Sequence, residues 1–127
     1  MTVLIVDDEP AVLRFMAVSL QTAGYEVLLA DGGDEALAFC EARAYSIDLM
    51  ISDVAMPGLT GLDLQQRLID DGKHVPIIFM TAYFSQPTRA QALVKGAVGF
   101  LGKPYREKCL IRCLSLALNR SLGQSSE

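Results

Sequence analysis

Residues 3–12 read VLIVDDEPAV. Four apolar residues run into three consecutive acids, Asp7, Asp8 and Glu9. An apolar run closed by turn residues reads as a buried strand. Its end then sets three carboxylates beside the interior, where like charges repel and desolvation is costly. The chain must offset that cost, and the rest of the sequence shows with what.

Four more β-rich runs follow: Glu26–Ala30, Leu49–Ser52, Ile77–Thr81 and Val98–Leu101. With Val3–Val6 they recur every ~20–30 residues, the spacing of βα units. The first, third and fourth are almost continuously apolar, which suits central strands covered on both faces. Helical patterns lie between them. Val12, Met16, Leu20 and Ala23 keep a 3.6-residue period, with Ser19 on the same face and Gly24 as a stop. A second helix is expected from Gly33 to Arg43, with Ala36, Leu37 and Cys40 inward. The third opens at Thr60, an N-cap with Asp63 three residues on, and closes at Gly72. The fourth lies between Pro87 and Gly96, and the fifth between Arg106 and Asn119. Glu9 is placed in the opening turn of the first helix, where its charge suits the dipole.

Alternating strands and helices predict an α/β protein: a flavodoxin-like doubly wound sandwich, with a five-stranded parallel sheet of order 2-1-3-4-5 and five helices. Residues 1–119 read as one domain and 120–127 as a polar tail, with no output domain visible. Apolar residues at 51% and charged ones at 20% place the 127-residue chain among globular domains with a real core. A net charge of −4, without a Lys/Arg cluster, argues against direct nucleic-acid binding by this domain. Cys40, Cys109 and Cys113 form no C-x-x-C pair and His74 is distant from them, so zinc is not expected. Dispersed cysteines, no basic leader and no span-length apolar run predict a cytoplasmic protein away from the membrane.

In such sheets, sites collect at the carboxyl ends of the strands. The first strand ends in Asp7-Asp8-Glu9, the third in Asp53, the fourth in Thr81, and the fifth leads into Lys103-Pro104. Hard oxygen ligands on a small open site suit Mg²⁺ or Mn²⁺. A cation, a lysine and a hydroxyl around one carboxylate form a site that accepts a phosphoryl group. Asp53 is central and is the expected nucleophile.

LIVDDEP, ISDVAMPGLTGLDL, PIIFMTAY and GAVGFLGKPY together resemble the receiver domain of bacterial two-component response regulators. The resemblance implies that Asp53 takes a phosphoryl group from the phosphohistidine of a sensor histidine kinase or phosphotransfer protein. It implies that Asp7, Asp8, Asp53 and the backbone carbonyl of Ala55 hold the metal. Thr81 and Lys103 would contact the phosphoryl group, and a cis peptide between Lys103 and Pro104 would aim the lysine. Thr81 and Phe100 would be the switch pair. Ala55 and Tyr83 occupy positions that in receivers influence loss of the phosphoryl group. The protein would be a signalling switch and not an enzyme.

Helix 4, strand 5 and helix 5 would form the output face. Leu110, Cys113, Leu114, Ala117 and Leu118 share one side of the fifth helix, and Cys109 and Leu116 widen the arc beyond one packed face. That excess predicts a homodimer or output partner. Three other readings compete. A haloacid-dehalogenase-like phosphohydrolase would use Asp7 as nucleophile with Glu9, but its later acid pair is missing: Asp70-Asp71 falls at a helix end. A flavodoxin-like cofactor binder would need a phosphate loop where this chain carries acids. A degenerate receiver would act only as a binding module, against which the set Asp8, Asp53, Thr81 and Lys103 argues.

Overall fold

Each apolar run becomes a strand. A computed structural model describes residues 1–42, 46–82, 85–102 and 107–121, with side chains through residue 118. The strands are β1 (Thr2–Val6), β2 (Glu26–Ala30), β3 (Leu49–Asp53), β4 (Ile77–Thr81) and β5 (Gly99–Gly102). The helices are α1 (Pro10–Thr22), α2 (Gly33–Glu41), α3 (Gly61–Asp70), α4 (Gln86–Val94) and α5 (Glu107–Ser121). All strand pairs are parallel, in the order β2-β1-β3-β4-β5.

Alternation along the strands divides the core in two. Val3, Ile5, Leu49, Ile51, Ile78 and Met80 pack with Met16 and Leu20 of α1 and Leu110 and Leu114 of α5. Leu4, Val6, Met50, Ile77 and Phe79 pack with Leu37 of α2, Leu64 and Leu68 of α3 and Ala92 of α4. Every residue of β3 and β4 is buried, as continuous apolar runs require. Met50, Met56 and Met80 are all core.

Three helices end alike. After α1, α3 and α4 a glycine with positive φ (Gly24, Gly72, Gly96) lets its own N–H and the one after it fold back on the last turn. Tyr25 and Gly24 donate to the carbonyls of Leu20 and Gln21, Lys73 and Gly72 to Leu68 and Ile69, and Ala97 and Gly96 to Ala92 and Leu93. At the start of α3 the expected capping box is complete: Thr60 Oγ1 accepts from the Asp63 N–H, and the Asp63 carboxylate accepts from the Thr60 N–H.

Three local expectations are corrected. Glu9 is the extended N-cap residue of α1, not part of its first turn, and its own side chain makes no cap bond. Ala23 is the exposed C-cap of α1, so the buried stripe stops at Leu20. α2 ends at Glu41, before Arg43, which lies outside the described residues.

Candidate functional site

The strand order reverses at β1, whose chain leaves first toward β2 and later returns to β3 on the other side. That switch point opens a crevice at the carboxyl ends of β1 and β3. Register fills it: Val6 is abreast of Ser52, so Asp7 follows β1 where Asp53 closes β3. Asp53 in turn is abreast of Met80, so Thr81 ends β4 one residue further on.

Local hydrogen bonds then aim the acids. The Asp7 N–H donates to the Ala30 carbonyl at 3.1 Å, extending the sheet by one bond. Asp7 is wholly buried, and its Oδ1 accepts from the Glu9 N–H at 2.9 Å. This carboxylate serves the chain entry into α1. Asp53 is buried, and its Oδ1 accepts from the Ala55 N–H at 3.1 Å. Asp8 is exposed at the rim. Ligand oxygens of Asp7, Asp8 and Asp53 lie within 4.8 Å of one another. Among the described residues Glu9 is not part of that group.

Three carboxylates this close repel strongly unless a cation offsets them. All-oxygen donors, two buried and one at an open rim, fit a hard divalent ion that keeps part of its water. Ala55, two residues after Asp53, is exposed on the same loop.

Thr81 is buried. It shares strand parity with Phe79, whose ring lies 6.2 Å from that of Phe100 at 47°. Phe79 and Phe100 are register partners, so Thr81 and Phe100 both lie toward the α3–α4 layer. Phe100 is partly buried there. Lys103, Pro104 and their peptide bond, and Tyr83, lie outside the described residues.

One residue of the site is not picked out by sequence reasoning. A Cβ on Gly61 would stand 2.3 Å from the Asp53 carbonyl oxygen and 3.0 Å from the Val54 Cα. The Gly61 N–H donates to the Val54 carbonyl at 2.9 Å. The start of α3 therefore presses directly on the backbone of Asp53. The available signal is the Thr-Gly pair at the helix start, where the glycine directly follows the N-cap.

A doubly wound sheet carrying clustered carboxylates at its switch point, with a hydroxyl on the neighbouring strand, places its site where open α/β sheets bind their ligands. The response regulator receiver domain matches residues 3–115, and the chain belongs to that family. The phosphate regulon transcriptional regulatory protein PhoB of Pseudomonas aeruginosa is 37% identical over 128 residues, which is 99% of this chain and 55% of that one. The receiver domain protein of Clostridium thermocellum has a TM-score of 0.87 at 30% identity, over 95% of this chain and 96% of that one. Vibrio cholerae chemotaxis protein CheY4 has a TM-score of 0.80 at 36% identity, over 90% and 95%. The chain spans 14% to 55% of the length of the curated relatives it matches. It is thus a receiver domain of two-component response regulators, a signalling module. No described helix is long and apolar enough to cross a membrane.

Proposed function

We propose that Asp53 is the phosphoryl acceptor of this receiver and that Asp7, Asp8, Asp53 and the Ala55 carbonyl hold Mg²⁺ or Mn²⁺ beside it. The convergence of three carboxylates within 4.8 Å carries this reading. An Asp53 carboxylate oxygen attacks phosphorus, an O–P bond forms, and the P–N bond of the donor's phosphohistidine breaks. The imidazole leaves with the electron pair. The ion, when bound, neutralises charge on the phosphoryl oxygens. The bond from the Ala55 N–H fixes the nucleophile's direction, and burial of Asp7 holds its neighbour in place.

Thr81 then donates to a phosphoryl oxygen and Lys103 pairs with another. Moving a two-state switch from mostly off to mostly on takes roughly 5 kcal/mol. Charge-assisted bonds at ~1.5–3 kcal/mol each supply it. Phe100, tilted against Phe79, follows Thr81 and reshapes α4, β5 and α5. That face carries the exposed apolar residues Leu93, Val94 and Leu116, so the apolar excess of α5 lies at the surface as a contact for a second copy or an output partner. A histidine kinase or phosphotransfer protein is the donor. The module is a switch and not an enzyme, residues 1–119 form the receiver unit, and an odd number of dispersed cysteines accords with a cytoplasmic setting.

Labelling by a small acyl phosphate such as acetyl phosphate, with and without Mg²⁺, tests this. Wild type takes up about one label with Mg²⁺, and Asp53→Ala takes up none. Label persisting on Asp53→Ala moves the acceptor elsewhere.

A further inference from the structure

α4 is the most weakly anchored helix. Of its nine residues Ala92 alone is buried, whereas Leu93 and Val94 are 38% and 86% exposed. Beneath its C-terminal end lies a concavity of about 310 Å³ lined by Gln65, Leu68, Lys73, Pro76, Lys95 and Val98. Besides the closing bonds of Gly96 and Ala97, a side-chain contact holds this helix end.

That interaction comes from Gln65 of α3. Gln65 is 3% exposed, on the same inward stripe as Leu64 and Leu68. Its Nε2 donates to the Ala92 carbonyl at 3.1 Å, across to α4. The same carbonyl accepts the Ala97 N–H at 3.0 Å. One oxygen therefore ties the last turn of α4 both to the backbone leading into β5 and to α3. Meanwhile Gln65 Oε1 is buried with no hydrogen-bond partner among the described residues. A leucine would fill this position without stranding an acceptor. The amide costs stability, and what it gives in return is direction: it fixes α4 against one carbonyl.

The other end of α4 is joined to Thr81. Only residues 82–85 separate them, and Ser85 caps the helix by accepting from the Thr88 N–H. A shift of Thr81 thus pulls on one end of α4, and Gln65 holds the other. We infer that Gln65 is a positioning residue, a clasp that fixes the resting place of α4 and sets how readily the aspartate site moves the output face. The regulatory half of this inference rests on Asp53 being the acceptor.

Gln65→Leu and Gln65→Met test it, because both keep the volume and remove the bond. Three quantities are measured on the whole chain: hydrogen exchange of amides 89–97 without any phosphoryl donor, urea unfolding, and the labelling rate with acetyl phosphate and Mg²⁺. Amides of α4 are expected to exchange roughly three- to tenfold faster, as loss of one hydrogen bond implies. Global stability stays equal or rises, and labelling of Asp53 accelerates severalfold. Exchange in α4 that changes only in step with global stability overturns the clasp. Faster exchange with an unchanged labelling rate overturns its regulatory role. Absence of label on wild type overturns the acceptor reading instead, and the exchange data still judge the clasp.

Discussion

Alanine at position 61 sets a methyl group 2.3 Å from the Asp53 carbonyl oxygen and 3.0 Å from the Val54 Cα, where ordinary contact begins near 3.4 Å. About an ångström must be found, and both obstacles are backbone. Gly61 does not have a positive φ, so the backbone conformation itself suits alanine and the strain is purely steric. The helix start cannot retreat without breaking its bond to the Val54 carbonyl. Val54 is itself tied to the Met80 carbonyl at 2.9 Å, in the middle of the sheet. Overpacking of this kind costs ~1–3 kcal/mol. If the strand end yields, Asp53 moves relative to Asp7 and Asp8, and misplacing a reacting group by ~1 Å costs on the order of 100-fold in rate. Initial labelling by acetyl phosphate at saturating Mg²⁺, with urea unfolding alongside, reads both effects. Gly32→Ala is the control. Its added carbon meets nothing within 4 Å, and its backbone is extended. Its labelling is expected within about threefold of wild type. A Gly61→Ala protein that labels at the wild-type rate with unchanged stability would refute the proposed pressure on Asp53.

Further outcomes follow from the same structure. Asp8→Ala removes the exposed member of the acidic group, so melting in chelator is expected to rise slightly while the Mg²⁺-dependent increase in Tm is lost. Wild type whose melting ignores millimolar Mg²⁺ contradicts this. Thr60→Ala breaks the capping box of α3 and should cost ~1 kcal/mol, or about 4 °C in a thermal melt, with the acidic group intact. Burial pushes the Cys40 thiol up, opposed by Lys73 and reinforced by Glu41. The folded state therefore holds that proton more tightly than the unfolded chain. The stability gained is full below the ordinary thiol value of ~8.5 and is lost as pH rises through the higher folded value. Urea midpoints at pH 8 and 10 should fall further for wild type than for Cys40→Ala, and equal slopes would show that the thiol contributes nothing.

Much of this was legible because the central strands carry no other message. Val3–Val6 and Ile77–Met80 are buried on both faces, so their apolar runs are unbroken and their limits sharp. Gly24, Gly72 and Gly96 mark helix ends because only glycine takes their backbone conformation cheaply. Asp7, Asp8 and Asp53 were legible as a group because topology puts all strand ends on one edge. Glu9 was misplaced because sequence cannot say which of three adjacent acids turns back to serve the helix entry, and Asp7 does so. Gly61 and Gln65 were not legible. A glycine in a first turn is unremarked until one sees that Asp53 backbone occupies the space of its missing side chain. One amide among charged neighbours in LDLQQRLID reads as surface until α4 is placed over it. Cys113 likewise reads as packing but not as the group that fills the space over Gly99, where an added carbon would meet its Sγ at 2.8 Å.

The two halves of the molecule differ in how firmly they are held, and the switch depends on that difference. Asp7 directly follows β1 and Asp53 closes β3, strands with neighbours on both sides and helices on both faces. Repulsion among the acids cannot spread them apart, because separating the strand ends would break ladder bonds and uncover both cores. The repulsion is therefore held in place, and a bound divalent cation would offset it. α4 faces the opposite situation, with one buried residue, one clasp and a concavity under its end. A contact energy of roughly 5 kcal/mol formed at Thr81 would barely disturb the sheet, yet it exceeds what a single hydrogen bond at Ala92 can resist. Movement would thereby be directed away from Asp53 and into the helix that carries the exposed Leu93 and Val94. A variant that stiffened α4, for instance by filling the concavity at Val98 with a larger apolar side chain, should slow labelling by acetyl phosphate and shrink any change at that face together, and labelling at the wild-type rate would count against the coupling.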